Sequence, residues 1–261
     1  MARLSKSCIF CGNYKDITNE HIVPDWISQI IPKGPRDRRL FTLERSLEGG
    51  ARLKSQRIFS GHPISKRVKV VCKRCNTGWM AELEQELKPT ITKMILGEFL
   101  TLNSWAQRRL ALWAVKTAMT AEYTDPKSVA LTFAQREYLR LHREPPKDFD
   151  VWAALYLGKK HKAMMNHHSG HFSISDPSGI KRPAPPNTQF TTIGLGKLFL
   201  HVSYIGITGA RFKHHDERIS NFRQIWPPLD REISWPPPAA LEDAQLIALE
   251  ASLRREFHGT A

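Results

Sequence analysis

The sequence predicts an α+β fold in two parts that meet near residue 90, and three observations lead to this prediction. All four cysteines fall in the first 75 residues, as two Cys-x-x-Cys pairs. A long apolar segment, residues 104–125, is typical of a buried helix. From residue 151 onward, alternating and aromatic segments separated by glycine and proline are typical of antiparallel strands.

Length and composition indicate an ordinary globular protein. A chain of 261 residues can bury a real core in one large domain or two modest ones. The 41% hydrophobic and 25% charged content are also typical of folded domains. The sequence has no apolar run of about 18 residues and no signal-peptide core at its start. We therefore expect a cytoplasmic protein with no membrane partner.

The chain is strongly basic, and the charge is unevenly placed. The formal net charge is +14, and the stretch from Lys33 to Arg74 holds 13 Lys or Arg against three acids. A solvated basic surface is one interpretation of such a stretch. Attraction to a polyanion, most often nucleic acid, is the other. Charge alone does not separate DNA from RNA or from an anionic membrane.

The two cysteine pairs, "CIFC" and "CKRC", have the spacing of metal-binding turns. In a reducing compartment such pairs favour tetrahedral zinc over disulfides, with separate redox motifs or chance as the alternative. The 60 residues between the pairs exceed the usual ribbon spacing. A longer loop costs only slightly more closure entropy, so one shared ion stays compatible with this spacing. The insert, about residues 33–71, is therefore predicted to have structure of its own.

The elements of the first part follow from local patterns. "RVKVVC", residues 67–72, predicts a short strand. "NTGWMAELEQEL" predicts a helix that ends at Pro89, with one apolar face formed by Trp79, Met80, Leu83 and Leu87.

The second part begins at residue 91. Residues 104–125 predict a buried helix with Ser104 as its N-cap, and "TFAQREYLRLHRE" predicts an amphipathic helix with a threonine start. "VWAALYLG" predicts a buried strand, and "GHFSISD" with residues 188–207 predicts two or three antiparallel strands. A last helix is expected from about Ala239 to Phe257.

An acid and a histidine, Glu20-His21, lie directly before the apolar run Ile22-Val23-Pro24. A neutral imidazole can take a proton from water near neutral pH, and a hard ion such as Mg²⁺ needs few protein oxygens. Adjacent strand residues point to opposite faces, so a shared phosphate requires a bulge or twist there. The ordinary alternatives are a surface pair at 20–21 and a helix N-cap at Asn76.

Taken in order, the first cysteine pair, Glu20-His21, the second pair and Asn76 resemble the HNH, or His-metal-finger, nucleases. These have a zinc-stapled ββα-metal fold. The pattern is most similar to the recombination endonuclease VII branch, in which a metal-binding Asn directly follows the last zinc cysteine. The resemblance covers less than a third of the chain.

The resemblance implies a role for each matching residue. Glu20 and Asn76 would hold a catalytic Mg²⁺ or Mn²⁺, and His21 would be the general base. Many HNH sequences carry a further His or acid where this chain has Trp79 and Met80, so we consider His62 as an additional ligand. A structural zinc would be bound by Cys8, Cys11, Cys72 and Cys75. The histidines that lack acids or cysteines at ligand spacing are His167, His168, His171, His214 and His215.

The basic insert leaves the Glu20-His21 segment and returns at Cys72, so both of its ends lie near the predicted site. Phosphate contacts of this kind position a nucleic acid without reading its sequence. The residues predicted to make them are Arg36, Arg38, Arg39, Arg52, Lys54, Arg57, Lys66 and Arg67.

The function expected from the sequence is a metal-dependent DNA endonuclease. Residues 1–90 would form the nuclease module, and residues 91–261 a mixed helix and antiparallel-strand domain. This domain would bind DNA, select substrates, or recruit a second copy or partner proteins. By resemblance alone, phage, mobile-element and anti-phage defence settings are expected. A non-catalytic zinc protein that binds nucleic acid and an RNA-directed nuclease or toxin are the alternatives.

Overall fold

The computed structural model describes residues 7–31, 40–46, 55–59, 63–171, 186–207, 221–229 and 231–249. Over these ranges the chain is a mixed α+β fold whose strands form three sheets. The predicted α+β class is confirmed. No helix in the described ranges has both the length and the apolar character needed to cross a membrane.

The N-terminal elements form a small strand pair followed by a helix. β1 (Ile17–His21) pairs antiparallel with β4 (Arg67–Cys72), which confirms the predicted strand at 67–72. A short helical turn, α1 (Lys73–Cys75), leads through a wider turn, Asn76–Met80, into α2 (Ala81–Leu96). The four residues of the predicted apolar face are buried: Trp79, Met80, Leu83 and Leu87.

The prediction that Pro89 ends this helix is wrong, because α2 continues through Pro89 to Leu96. Proline removes one backbone hydrogen bond from a helix interior and costs roughly 3 kcal/mol. The following turns bury Ile91, Met94 and Ile95 on the same side of the helix. This apolar burial offsets the cost of the proline.

The next two helices match the predicted segments closely. β5 (Leu100–Leu102) precedes α3 (Ser104–Ala121), whose N-cap is Asn103 and not Ser104. The Asn103 side chain accepts a hydrogen bond from the Ala106 amide at 2.9 Å, which corrects the predicted cap. α4 (Phe133–His142) begins at the predicted threonine, Thr132, with a reciprocal capping box.

A large mixed sheet forms most of the rest of the described structure. Its strands after α4 are β6 (Phe149–Tyr156), β7 (Ala163–His171), β8 (Thr188–Leu195), β9 (Leu198–Ile205), β10 (Phe222–Trp226) and β12 (Ala240–Leu241). The central strands β6, β9, β8 and β7 are antiparallel neighbours. The antiparallel strands predicted in residues 188–207 correspond to β8 and β9. A separate short strand, β11 (Ile233–Trp235), pairs with β5.

The basic insert contributes two strands to this sheet. β2 (Leu40–Ser46) and β3 (Ser55–Phe59) pair antiparallel, and β2 lies parallel to β7. The insert therefore has structure of its own, as predicted. Its strands extend the sheet formed by residues far along the chain.

Two predicted segments are only partly within the described ranges. "GHFSISD" contains the end of β7, but β7 begins earlier, at Ala163, and residues 172–176 lie outside the described residues. Residues 243–249 are helical, as predicted, but the expected start at Ala239 is wrong, because Ala240–Leu241 form strand β12 and pair with β6; residues 250–261 lie outside.

One apolar core joins the N-terminal elements to the later ones. α3 packs against α2, β4 and β9. The buried cluster around it includes Ile22 and Val71 from the first part, and Trp113 and Leu200 from the second. The division into domains at residue 90 stays a prediction, and any boundary there lies within shared packing.

Candidate functional site

The two cysteine turns are held against the β1–β4 pair by backbone hydrogen bonds. The Ile9 amide donates to the Val70 carbonyl of β4 at 3.0 Å, and the Lys73 amide donates to the Asp16 carbonyl at 2.8 Å. Gly12 closes the first turn at a φ of 72°, a left-handed conformation that glycine adopts without strain. Both cysteine pairs are thereby fixed at the same end of the strand pair.

The four cysteines form one group, which we call the thiol cluster: Cys8, Cys11, Cys72 and Cys75. Their sulfur atoms all lie within 4.8 Å of one another, and none is in a disulfide. The Cys11 and Cys72 sulfurs are 3.6 Å apart. Tetrahedral zinc–sulfur bonds of about 2.3 Å place the sulfurs about 3.8 Å apart. The cluster can therefore hold a metal ion such as zinc.

The thiols are electrostatically coupled. A hydrogen bond from Cys75 lowers the pKa of Cys8 to about 4. The same hydrogen bond, together with burial, raises the pKa of Cys75, and burial raises the pKa of Cys11. One thiolate is thus stabilised by a neighbouring thiol, and complete deprotonation requires a cation in the cluster.

The Glu20-His21 pair lies at the end of β1, just after an irregularity in the strand pairing. The register shifts between Thr18 and Glu20, so the backbone is bulged immediately before the pair. Glu20 is buried, whereas His21 is half-buried. The two side chains therefore have different surroundings, as expected for neighbours on a strand.

The Glu20 carboxylate lies near a charged pair formed by side chains of α2 and α3. Its Oε1 is 4.0 Å from Lys116 Nζ of α3, and Lys116 also bonds Glu84 of α2 at 2.8 Å. Burial raises the pKa of Glu20 to about 7, and Lys116 opposes this rise. Glu20 accepts no hydrogen bond from the described residues. Its oxygens thus keep lone pairs for a ligand.

His21 is oriented by an arginine of the paired strand. Arg67 Nε donates to His21 Nε2 at 2.7 Å, and Asp25 Oδ1 is 3.7 Å from the same nitrogen. A guanidinium only donates hydrogen bonds, so this contact describes an accepting nitrogen on a neutral imidazole. His21 and Arg67 face each other directly across the strand pair.

Asn76 connects the start of the helix to β1. Its Nδ2 donates to Thr18 Oγ1 at 3.0 Å, and this hydroxyl donates to the Val71 carbonyl at 3.0 Å. Asn76 has helical φ and ψ, so it is not an N-cap of the following helix. Its amide oxygen makes no hydrogen bond within the described chain. The contact to Thr18 brings Asn76 to the same strand as Glu20.

Most of the other predicted site residues lie outside the described ranges. Lys66 is half-buried beside Arg67, and its carbonyl accepts from the Ile22 amide at 3.1 Å. Arg57 lies on β3, where only the backbone is described. The predicted residues outside the described ranges are Arg36, Arg38, Arg39, Arg52, Lys54 and His62.

The sequence interpretation missed Lys116 and Glu84. A signal for Lys116 was present, because it is a single charge in the otherwise apolar segment "LALWAVKTAMTA". A lysine in a buried helix is almost always paired with an acid. Which acid it meets depends on how α2, α3 and β1 pack together.

Comparisons with known proteins do not assign a family: no family model, no curated protein and no solved structure matches the chain. The site is therefore interpreted from its own chemistry. Sulfur ligands fit zinc in the thiol cluster, and carboxylate and amide oxygens suit a hard ion. Among the described residues, only the thiol cluster gathers three or more His, Cys, Asp or Glu ligands.

Proposed function

We propose that the chain is a metal-dependent endonuclease that hydrolyses phosphodiester bonds in DNA. The observation that carries the proposal is the contact of Asn76 with Thr18, across 58 residues of sequence. It joins the residue after the last cysteine to the strand that bears Glu20 and His21. In the order that resembles the HNH nucleases, this contact links the last member, Asn76, to the strand of the acid and histidine. This contact supports the proposal without testing activity.

In this proposal the thiol cluster holds a structural zinc. The ion would join the turn at residues 8–13 to the end of β4, where the helix begins. Such sites contribute directly to folding, because the metal-binding geometry exists only in the folded chain. The zinc would thereby fix β1 and Asn76 relative to each other.

The catalytic ion in this proposal is Mg²⁺ or Mn²⁺, with Glu20 and Asn76 as its protein ligands. When bound, such an ion would polarise the phosphate and stabilise the negative charge that builds up on its oxygens during hydrolysis. The available Asn76 oxygen and the Glu20 carboxylate suit this role. A hard ion keeps several waters, so two protein ligands suffice. His62 stays a prediction as an additional ligand.

His21 is the proposed base that takes a proton from the attacking water. Arg67 occupies its Nε2 in the structure, and Arg67 is also one of the predicted phosphate contacts. A phosphate beside Arg67 would accept the guanidinium donors and leave Nε2 with a lone pair for water. Substrate binding and exposure of the base would then be linked through one side chain.

Glu20 gives the proposal a pH dependence. With its pKa near 7, the carboxylate is largely protonated below neutral pH, and a protonated acid is a poor ligand. At an ion concentration below saturation, cleavage is therefore expected to increase as pH rises through 7, because the proton and the ion compete for the carboxylate. Lys116 favours the ionised form and keeps this transition near neutrality.

The deciding experiment is cleavage of supercoiled plasmid by purified wild-type protein with added Mg²⁺ or Mn²⁺, next to His21→Ala. We expect nicking that depends on the ion and falls about 10²- to 10⁴-fold in His21→Ala, because a positioned base contributes a factor of this size. His142→Ala is the matched control, because His142 is an exposed histidine on α4. It is expected to cleave like wild type.

A specific observation favours one alternative, a non-catalytic zinc protein that binds nucleic acid. The partner of Glu20 in the structure is the cation Lys116, and no further acid or histidine completes an oxygen site among the described residues. Binding of plasmid without cleavage of DNA or RNA would favour this alternative. Nicking that survives in His21→Ala would refute His21 as the base, and cleavage of RNA alone would identify an RNA-directed nuclease.

A further inference from the structure

A cavity of about 560 Å³ lies beside the thiol cluster and is lined by arginines from two elements. Arg74 lies between the cysteines of the second pair, and Arg140 and Arg143 come from the C-terminal end of α4. Trp79 forms part of the wall, next to Cys11 and Cys75. We call these four the arginine pocket: Arg74, Trp79, Arg140 and Arg143. Nothing in the proposed hydrolytic chemistry uses them.

Three arginines line the pocket, and the negative groups that act on them are Glu137 at Arg140 and Glu82 with Cys75 at Arg143. Arg140 donates from Nε to the Phe10 carbonyl at 3.0 Å and lies 3.7 Å from Glu137. Arg74 has no acidic partner among the described residues, and it is exposed. Concave sites lined by cations concentrate the positive potential and attract anions.

Arg143 is held in place by an aromatic ring. Its guanidinium lies over the Trp79 ring, 4.9 Å from the ring centre. Burial lowers the pKa of Arg143, and the cations Arg109 and Arg140 add to this effect while Glu82 and Cys75 oppose it. An anion in the pocket would relieve the repulsion between these cations.

The backbone at Arg143 is unusual for an arginine. This residue ends α4 with a φ of 58°, in the left-handed region where glycine or asparagine is favoured. Glycine would end the helix with less strain. At Arg143 the strained backbone conformation coincides with a guanidinium that lines the pocket.

The same cysteine turn borders a second cavity, of about 500 Å³, with aromatic walls. Tyr14 and Phe133 line it with exposed fractions of 76% and 46%. Exposed rings beside a cationic groove can stack on nucleobases, whereas a small inorganic anion makes no stacking contact with them. The neighbouring cavities thus favour a nucleic-acid strand as the ligand.

We propose that the arginine pocket binds a backbone phosphate of a nucleic acid, next to the thiol cluster and separate from Glu20, His21 and Asn76. The inference rests on the proposed function in one respect, that the ligand is a nucleic acid. The pocket would position the strand without reading its sequence. It combines two residues from before position 90 with two from after it, so the two predicted parts of the chain would share one binding site.

The test is DNA binding by fluorescence anisotropy, in a series of salt concentrations and without added Mg²⁺ or Mn²⁺. All variants carry His21→Ala, so that no cleavage interferes. The probes are a short fluorescein-labelled duplex and its single strand. Arg74→Gln and Arg143→Gly are compared with Arg231→Gln, which removes an exposed arginine before β11, outside the pocket.

We expect each pocket variant to bind at least one probe about tenfold more weakly at low salt. For the duplex, the slope of log affinity against log salt should fall by about 0.9 for each phosphate that the arginine no longer neutralises. Arg231→Gln should match its parent in both measurements. Arg143→Gly should also keep or raise the thermal midpoint, because glycine relieves the left-handed backbone. Its weaker binding could then not be explained by unfolding.

Equal affinity and equal salt slope in the pocket variants and in Arg231→Gln would overturn the inference, whether or not the wild type cleaves DNA. Inorganic phosphate is the third probe, followed by tryptophan fluorescence. If the pocket variants lose phosphate binding and keep DNA binding, the pocket is a free-anion site and the nucleic-acid assignment is wrong. Absence of plasmid cleavage by the wild type would refute the proposed hydrolysis and leave the binding result interpretable.

Discussion

The thiol cluster and the polar interior of the large sheet are two largely buried sets of metal-ligand side chains with different arrangements. The four thiols come from two distant turns and meet within 4.8 Å. In the sheet, His167 and His201 are also buried, but each ring meets a threonine, Thr191 at 2.8 Å and Thr192 at 3.0 Å. Burial lowers the pKa of His167 to about 4, so it is neutral at physiological pH.

A neutral buried histidine is chemically able to bind a metal, yet the sheet histidines form no ligand group in the described part of the chain. The difference shows that ligand chemistry alone does not make a site. The thiols qualify because two backbone turns point their sulfurs at one centre. The sheet histidines serve the local hydrogen bonding of adjacent strands.

The largest expected effect is a difference in zinc content between variants of these two regions. Cys72→Ser should lose its zinc and the fixed structure of the N-terminal elements, because structural zinc contributes apparent free energies of roughly 10–16 kcal/mol. His167→Gln should keep one zinc per folded chain. The measurement is elemental analysis of the purified proteins, with circular dichroism to monitor folding.

The contrast between the regions would break down if wild-type protein contained no zinc, or if His167→Gln lost as much zinc as Cys72→Ser. Removal of the metal with a chelator and its return provides a control without mutation. Zinc, and not Mg²⁺, should restore the wild-type spectrum, because thiolates prefer the softer ion.

A somewhat smaller effect is expected at Lys116, which links α3 to the N-terminal strand. Lys116→Met leaves Glu20 and Glu84 without their shared cation. Breaking a buried pair in this way typically costs about 3–5 kcal/mol. The measurement is urea unfolding at pH 8, with Lys93→Met on the exposed side of α2 as the control. A free energy of unfolding equal to that of wild type would show that Lys116 carries little of the packing between the two regions.

The third prediction concerns the pH dependence of stability, and its expected size is comparable to that of Lys116→Met or smaller. The pKa of Glu20 is raised from 4.5 to about 7 in the folded protein, so between these values the folded chain holds more protons than the unfolded one. Stability from this group therefore falls as pH rises from about 4.5 to 7, by up to about 3 kcal/mol. Glu20→Gln removes the ionisation, and its stability relative to wild type should increase over this window.

Urea unfolding of both proteins across that pH range, without added divalent ion, measures the difference. A constant difference between wild type and Glu20→Gln would contradict the buried position of the carboxylate. Glu137→Gln, at a more exposed acid of α4, is the matched control variant.

Features encoded by local sequence could be predicted. The capping box at Thr132 depends on residues within one turn, and the strand at 67–72 depends on its own alternation. The thiol cluster could also be predicted, because the spacing within each pair restricts where the sulfurs point. Local rules failed at Pro89, where packing further along α2 offsets a residue that usually ends a helix.

Features that depend on packing between distant elements could not be predicted. Glu20 was identified as a candidate ligand from its place beside His21, but its contact with Lys116 requires the position of α3. The pairing of β2 with β7 likewise requires knowledge of the large sheet. Arg140 and Arg143 gave no signal in sequence, because they look like ordinary charges on an amphipathic helix.

The most direct test of the central claim is the metal-ion dependence of plasmid nicking by wild type, Asn76→Ala and Thr77→Ala. Asn76 is the proposed amide ligand, and Thr77 is its exposed neighbour. Loss of one oxygen ligand should raise the Mg²⁺ or Mn²⁺ concentration needed for half-maximal nicking at least about tenfold, since changes even in the outer shell of a metal site cost this much. Thr77→Ala should follow the wild-type curve. Identical curves for all three proteins, or no nicking at any ion concentration, would contradict the account.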